Sequence, residues 1–339
     1  MGKRRQFIWQ LMTGGLAAGL APNALSKVVP MSKSVSQNPP HRIEELDLLA
    51  EYAGEQQPLW PSLALDGPGH DNIGTAPSLV WYWPDTKDKT PKGLILICPG
   101  GGYLRHAPHE GKDIAQFLNN QGYAAGVVHY TVKPQQYFRP FQDIRRALLL
   151  ARQRVAKAFT EGKILSHKIG LIGFSAGGHV AATMGRNPSF LINKLAADPL
   201  QVQDDPLLSL YNPVPDVMVL GYPVISMTNF AHLGSVKSLL SLDDKSVELP
   251  DNLSLREQFS HQINIGPGFP PTFLFHTAND KAVPVQNSIA LSEACIKHGI
   301  QTELHVFPDG KHGVGLAQNF PALAIWPTLM VSWLGSHIK

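Results

Sequence analysis

Lys168-Ile-Gly-Leu-Ile-Gly-Phe-Ser-Ala-Gly-Gly178 runs from an apolar segment into a serine framed by glycines. The run Ile169 to Phe174 reads as a buried strand, and the small residues after Ser175 read as the start of a helix. Gly173-Phe-Ser-Ala-Gly177 is therefore a G-x-S-x-G sequence at a strand-to-helix turn. Such a turn must be sharp to expose the serine Oγ, and side chains at the flanking positions would collide. The helix N-terminus behind the serine also favours negative charge developing there. A structural glycine turn is the alternative reading.

Outward from that turn, other apolar runs alternate with helix-like stretches. Leu94 to Cys98, Ala124 to Tyr130, Val217 to Tyr222, Thr272 to His276 and Glu303 to Phe307 are expected strands. Most are apolar on both faces, as buried parallel strands are. Asp143 to Phe159 is the clearest helix: Ile144, Ala147, Leu148, Ala151, Val155 and Ala158 follow the 3.6-residue repeat, with the arginines largely off that stripe. Pro284 to Lys297 and Ala322 to Leu334 are further expected helices. Ser78 to Trp83 reads as an earlier strand, antiparallel at the edge. The alternation predicts a mostly parallel central sheet with helices on both faces. Residues 186–216 and 229–268 fit it poorly and read as long loops, either a partial lid or passive excursions.

A serine nucleophile needs a base, and the base needs an orienting acid. In this architecture the chain order is Ser, acid, His. Asp280 ends the Thr272 strand, and His312 lies between Lys311 and Gly313 just after the Glu303 strand. Both are loop positions at strand carboxyl ends, where open α/β sheets bind ligands. Asp309 is a rival acid, too close in sequence to orient His312 easily. Cys98-Pro-Gly-Gly-Gly-Tyr103 follows the first central strand, and a glycine run lets backbone N–H groups converge on one point. The expected oxyanion donors are Gly101, Gly102 and Ala176. Dinucleotide and phosphate-loop readings of the run fail, because Arg105 and His106 stand where glycines are required. His106, His109 and Glu110 do not have the order of a zinc-protease helix, and Pro108 interrupts them, so no metal is expected. Glu110 is read as opening a helix to Asn120, and His179 as packing within the helix after the serine.

Hydrophobic residues make up 43% of the 339 and charged residues 16%, which excludes a disordered chain. The net charge is +3, and Lys3, Arg4 and Arg5 alone supply three positive charges, so the body lacks a nucleic-acid footprint. Two cysteines, Cys98 and Cys295, exclude a disulfide scaffold. Residues 1–26 read as an export signal: an arginine pair precedes a weakly apolar run broken by Thr13, Gly14 and Gly15. It resembles the twin-arginine class, which implies a periplasmic or secreted protein exported folded. An uncleaved anchor is the alternative, but the run is short of the ~20 apolar residues of a spanning helix. Residues 27–44 read as a flexible terminus and 45–339 as one catalytic domain.

These segments together resemble the bacterial acetyl esterases of the α/β-hydrolase superfamily, acetylxylan esterases and their hormone-sensitive-lipase-like relatives among them. The matching text includes Cys98-Pro-Gly-Gly-Gly-Tyr103, His109-Glu-Gly111, Pro140-Phe-Gln-Asp-Ile-Arg-Arg-Ala147, Gly173-Phe-Ser-Ala-Gly-Gly-His179, Gly221-Tyr-Pro-Val-Ile-Ser226 and Asp280-Lys-Ala-Val-Pro284. The resemblance implies a serine esterase with Ser175 as nucleophile, Asp280 as acid and His312 as base, needing no cofactor. It implies Asp143 as a structural acid, and an acetylated plant-polysaccharide sugar as substrate. Proline replaces histidine before the glycine run. Thr131 stands where arginine is expected, and Ser241 where relatives tend to have glycine. Another ester such as a feruloyl ester, a peptide bond, or a silent binding role on the same fold are the competing functions.

Overall fold

In the computed structural model the described residues are 56–60, 77–84, 90–133, 138–186 and 205–339. Their centre is a sheet ordered β1-β2-β4-β3-β5-β6-β7-β8. The strands are β1 (Gln56–Pro58), β2 (Ser78–Tyr82), β3 (Leu94–Cys98), β4 (Ala124–His129), β5 (Ile169–Phe174), β6 (Val217–Gly221), β7 (Thr272–Thr277) and β8 (Thr302–Phe307). The first two pair antiparallel, with β2 against β4, and all pairings from β4 to β8 are parallel. The sheet is thus mostly parallel, as expected. The Ser78 strand is antiparallel but not outermost, because the three-residue β1 lies beyond it.

Strand side chains alternate between faces, and the core divides accordingly. Leu94, Leu96 and Cys98 of β3, Leu171 of β5 and Met218 and Leu220 of β6 face one layer. Ile95, Ile97, Ile172, Phe174, Val217 and Val219 face the other. Each such buried aliphatic side chain contributes roughly 1.5–3 kcal/mol relative to exposure. The first layer is covered by α2 (Arg139–Thr160), α3 (Ala176–Met184), α4 (Leu233–Leu240) and α6 (Gln286–Lys297). The second is covered by α1 (Lys112–Asn120) and α7 (Trp326–His337).

The stripe Ile144, Ala147, Leu148, Ala151, Val155 and Ala158 of α2 is buried against β-strand residues, as its period requires. Its arginines depart from the expected polar face: Arg145, Arg146 and Arg154 are buried too. The segments around Leu59, Trp60, Trp81 and Trp83 and around Asp205 cover that face. The Arg154 guanidinium lies 4.4 Å from the Trp81 ring centroid and 5.0 Å from that of Trp83. Arg146 donates to Asp205 at 2.6 Å and to the Leu59 carbonyl at 3.2 Å.

Residues 229–268 are not the loop expected: they fold into α4 and α5 (Pro250–Gln258) with a short 3-10 turn at His261–Ile263. Of 186–216, residues 187–204 lie outside the described residues, and the remainder includes a 3-10 turn at Pro206–Ser209. Ser241 caps α4 at φ 56°, the left-handed conformation that glycine adopts without Cβ strain. That explains why this position belongs to a turn, whatever residue relatives place there. Thr131 donates through its N–H (2.8 Å) and Oγ1 (2.6 Å) to the buried Asp143, which also accepts from Trp60 Nε1 at 2.7 Å. Asp143 therefore ties the end of β4 to α2 and to the segment after β1.

The export signal 1–26 and the terminus 27–44 lie outside the described residues. No helix among the described residues is long and apolar enough to cross a membrane.

Candidate active site

Ser175 lies between β5 and α3 at φ 53°, ψ −120°, a conformation that costs energy for any residue with a Cβ. The surrounding packing enforces it. A Cβ on Gly177 would run into the carbonyl oxygens of Cys98 and Pro99, and one on Gly173 into the Gly177 carbonyl. The glycines of the motif are thus fixed by the closeness of α3 to β3 and β5, which puts the serine at the sheet's carboxyl edge.

His312 follows β8 and Asp280 follows β7. His312 Nε2 lies 2.8 Å from Ser175 Oγ, and His312 Nδ1 lies 2.7 Å from Asp280 Oδ2. With the carboxylate accepting at Nδ1–H, Nε2 is left as the acceptor for the serine hydroxyl proton. Asp280 Oδ1 accepts from the N–H groups of Ala282 (2.9 Å) and Val283 (3.0 Å). Burial alone would raise its pKa, but hydrogen bonds from His276 and His312 outweigh that and hold the carboxyl well below its ordinary range. Asp309 takes no part: it is exposed and accepts from Asn279 Nδ2 at 3.1 Å.

The glycine run after β3 meets the serine at Gly100, where a Cβ would come within 2.8 Å of Ser175 Cβ. Gly101 and Gly102 have φ values of 130° and 67°, where L side chains are strained, and a Cβ on Gly101 would meet the Arg105 carbonyl. Among the described residues the N–H groups of Gly101, Gly102 and Ala176 donate no hydrogen bond. Backbone donors left open in the run after β3 and at the residue after the serine are the type of group that stabilises an oxygen anion.

His106 and His109 do not converge. His106 is largely buried, its ring edge against Tyr130 with centroids 4.7 Å apart, and burial lowers its pKa to about 4. His109 Nε2 donates to the Gly313 carbonyl at 2.9 Å. His179 is structural, as read from the sequence. It accepts from Tyr103 Oη at Nδ1 (2.7 Å), donates from Nε2 to the Phe259 carbonyl (2.8 Å), and burial lowers its pKa to about 3.

Four residues around the site were not singled out as its parts. Glu110, in a 3-10 turn rather than at the start of α1, is buried and accepts from Gly100 N–H and Tyr222 Oη, both at 2.8 Å. Tyr222 stands edge-on to His312 with ring centroids 5.0 Å apart, and burial pushes its hydroxyl pKa well above the usual value, so it remains a donor. His276 lies behind Asp280. His232, just before α4, caps that helix by accepting from Ser235 N–H at 3.2 Å, and burial together with nearby His312 lowers its pKa.

A cleft of about 380 Å³ adjoins the His312 loop, lined by His109, Asp113, Lys311, Gln318, Asn319 and Phe320 among others. A larger one of about 450 Å³ lies between Arg145, Met184, Tyr211 and Val214; its lining contains none of Ser175, Asp280 and His312. Size does not locate the chemistry here, because the hydrogen-bonded series lies elsewhere.

A serine at the turn from the central parallel strand into a helix, with acid and histidine on the loops after the next strands, defines an α/β-hydrolase. The chain belongs to the BD-FAE family, whose model matches residues 80–295. It is 31% identical to endo-1,4-beta-xylanase B of Butyrivibrio fibrisolvens over 73% of this chain and 36% of that protein. It is 27% identical to the acetylxylan esterase of Xylanibacter ruminicola over 71% of this chain and 44% of that protein. The chain thus matches less than half the length of these two relatives. Among solved structures, an acetyl ester-xyloside bifunctional hydrolase from Caldicellulosiruptor lactoaceticus is similar at 33% identity and TM-score 0.68. That likeness covers 86% of this chain and 98% of the other.

Proposed function

We propose that this protein is an exported serine esterase that removes small acyl groups, acetyl foremost, from carbohydrate esters such as acetylated xylo-oligosaccharides. The observation that carries this reading is the hydrogen-bonded series Asp280–His312–Ser175, accompanied by N–H groups of Gly101, Gly102 and Ala176 that donate no hydrogen bond among the described residues.

On this reading Ser175 Oγ bonds to the ester carbonyl carbon while its proton passes to His312 Nε2. The carbonyl electron pair moves to oxygen, which the three N–H groups hold; one such donor is worth roughly 3 kcal/mol in the transition state. His312 then returns the proton to the departing alcohol oxygen as the carbon–oxygen bond breaks, leaving an acyl-enzyme. Water attacks that acyl-enzyme with His312 again taking the proton, and carboxylate and free serine result. Asp280 keeps the imidazole in the required tautomer and stabilises its cation. No step calls for a cofactor.

The acetyl group and the sugar alcohol are supported by the xylan-related names of the similar proteins. Export rests on the arginine pair and weakly apolar run at residues 1–26. Fractionation of the producing cell, with a Lys-Lys replacement of Arg4-Arg5 blocking export, tests it; an unchanged distribution refutes it.

The principal experiment compares acetate release from acetylated xylo-oligosaccharides with hydrolysis of p-nitrophenyl acetate, for the wild type and Ser175→Ala. Cleavage of both by the wild type and neither by the variant supports the whole reading. Cleavage of the activated ester alone keeps the mechanism and removes the substrate. A fully active variant refutes the mechanism.

A further inference from the structure

Glu110 is a buried carboxylate that touches neither Ser175 Oγ nor His312, yet its two oxygens are engaged by two different active-site segments. Oε2 accepts from Gly100 N–H, the residue just before the two glycines whose N–H groups are unengaged. Oε1 accepts from Tyr222 Oη, at the end of β6. Tyr222 Oη in turn accepts from Gly315 N–H at 3.1 Å, three residues after His312. The neighbouring His109 holds the same loop through the Gly313 carbonyl. One dipeptide therefore fastens the glycine run after β3, the end of β6 and the loop after β8.

The packing there leaves little slack. A Cβ on Gly100 would come within 2.7 Å of Glu110 Oε2 and 2.8 Å of Ser175 Cβ, so the carboxylate, the run and the serine are mutually wedged. Tyr222 holds a backbone φ of 36°, which a non-glycine residue keeps only where surrounding contacts over-determine it. Its hydroxyl bonds on both sides supply such contacts. Burying a carboxylate is costly unless donors satisfy it, and these two charge-assisted bonds do so.

We propose that Glu110 is a positioning residue that sets the glycine-run N–H groups and the His312 loop in register with Ser175. This rests on the esterase reading and adds to it a part that acts through others. If the run shifted relative to the serine, substrate would still dock while the developing oxyanion lost its donors. Such a defect falls on the transition state, because displacements of about 1 Å at a reacting centre can cost on the order of 100-fold in rate.

The test uses the full chain as wild type, Ser175→Ala, Glu110→Gln and Tyr222→Phe, with p-nitrophenyl acetate. A second readout is inhibition by a trifluoromethyl ketone, whose carbonyl carbon takes up the serine oxygen and whose own oxygen becomes a tetrahedral alkoxide. Glutamine keeps the shape but offers one acceptor oxygen to two donors. The expected result for Glu110→Gln is a kcat lower by about 10- to 100-fold with KM within about twofold. The ketone's inhibition constant rises by a similar factor, while thermal unfolding stays above the assay temperature. Tyr222→Phe moves the same quantities in the same direction by less, and combining the two costs no more than Glu110→Gln alone. A folded Glu110→Gln with wild-type kcat and ketone affinity overturns the proposal, as does a change confined to KM. If Glu110→Gln does not fold, Tyr222→Phe decides: wild-type values for it overturn the proposal. A Ser175→Ala variant as active as the wild type would instead sink the esterase reading itself, so the two failures are told apart.

Discussion

His276 Nε2 lies 3.4 Å from Asp280 Oδ2, the same oxygen that His312 Nδ1 approaches to 2.7 Å. Both side chains of the first pair are fully buried. His276 Nε2 also donates to the Val283 carbonyl at 2.9 Å, and its Nδ1 accepts from Ser288 Oγ at 2.8 Å, so its tautomer is fixed with the proton on Nε2, the nitrogen nearer the carboxylate. One oxygen of the acid is thus approached by two histidines, of which His312 is the one bonded to the serine.

Replacing His276 by phenylalanine keeps the volume and removes the donor. The loss of one hydrogen bond to a charged group, ~1.5–3 kcal/mol, is expected to divide between stability and positioning of Asp280. Urea unfolding should show the first, and a kcat lowered by about tenfold with little change in KM the second. A variant with wild-type values of both would show that Asp280 needs only its backbone donors.

Asp280→Asn tests the acid directly. An amide can present its NH₂ to His312 Nδ1 and stabilise the tautomer that cannot accept from Ser175, so kcat should fall by about 10⁴-fold with KM nearly kept. There is also a signature in stability. Because the folded-state pKa of Asp280 is depressed, its ionised form stabilises the fold above the unfolded carboxyl's range near 3.9. That contribution is lost as pH falls below it. The stability gap between wild type and variant should be constant from pH 7 to about 5 and narrow towards pH 3, as thermal melts can follow. A gap that widens on acidification contradicts the depressed pKa.

How far the sequence carried the structure depended on range. Ser175 lies inside a local pattern, a strand, a turn and a helix, and Asp280 and His312 each end a strand in a fixed chain order; such features survive without coordinates. Glu110 and Tyr222 lie in stretches that match the family's text, but nothing local in the chain ties either to the other or to Gly315, since they meet only through the crossovers of the sheet, the first two 112 positions apart. Residues 229–268 misled for a different reason. In α5 only Arg256 is buried, so no apolar stripe marks it as a helix, and α4 is capped by His232 rather than by one of the usual small polar residues. The strand β1 spans three residues, too few for a period of two to be seen.

Gly177→Ala adds one methyl group where two backbone carbonyls already stand, those of Cys98 and Pro99. Neither can move without shifting β3 and the start of the glycine run. A cost of about 1–3 kcal/mol or more in urea unfolding is expected, together with a lower kcat because the same shift displaces the N–H groups of Gly101 and Gly102. Normal stability in this variant would mean that α3 and β3 have more room than the structure gives them.

His179 gives a pH dependence that owes nothing to catalysis. Burial holds its folded-state pKa at about 3, whereas an unfolded histidine titrates near 6.5. Between those limits the unfolded chain binds a proton that the folded one refuses, so stability rises with pH across the window and is lost on acidification from about 6.5. His106 and His261, also lowered by burial, act in the same sense. His179→Gln keeps an acceptor for Tyr103 Oη and removes one titrating group. The variant's unfolding temperature should start lower at pH 7, yet fall less steeply than the wild type's between pH 6.5 and 4.5. Parallel slopes for the two proteins would place the acid sensitivity on the other buried histidines and would show that His179 becomes protonated without unfolding its surroundings.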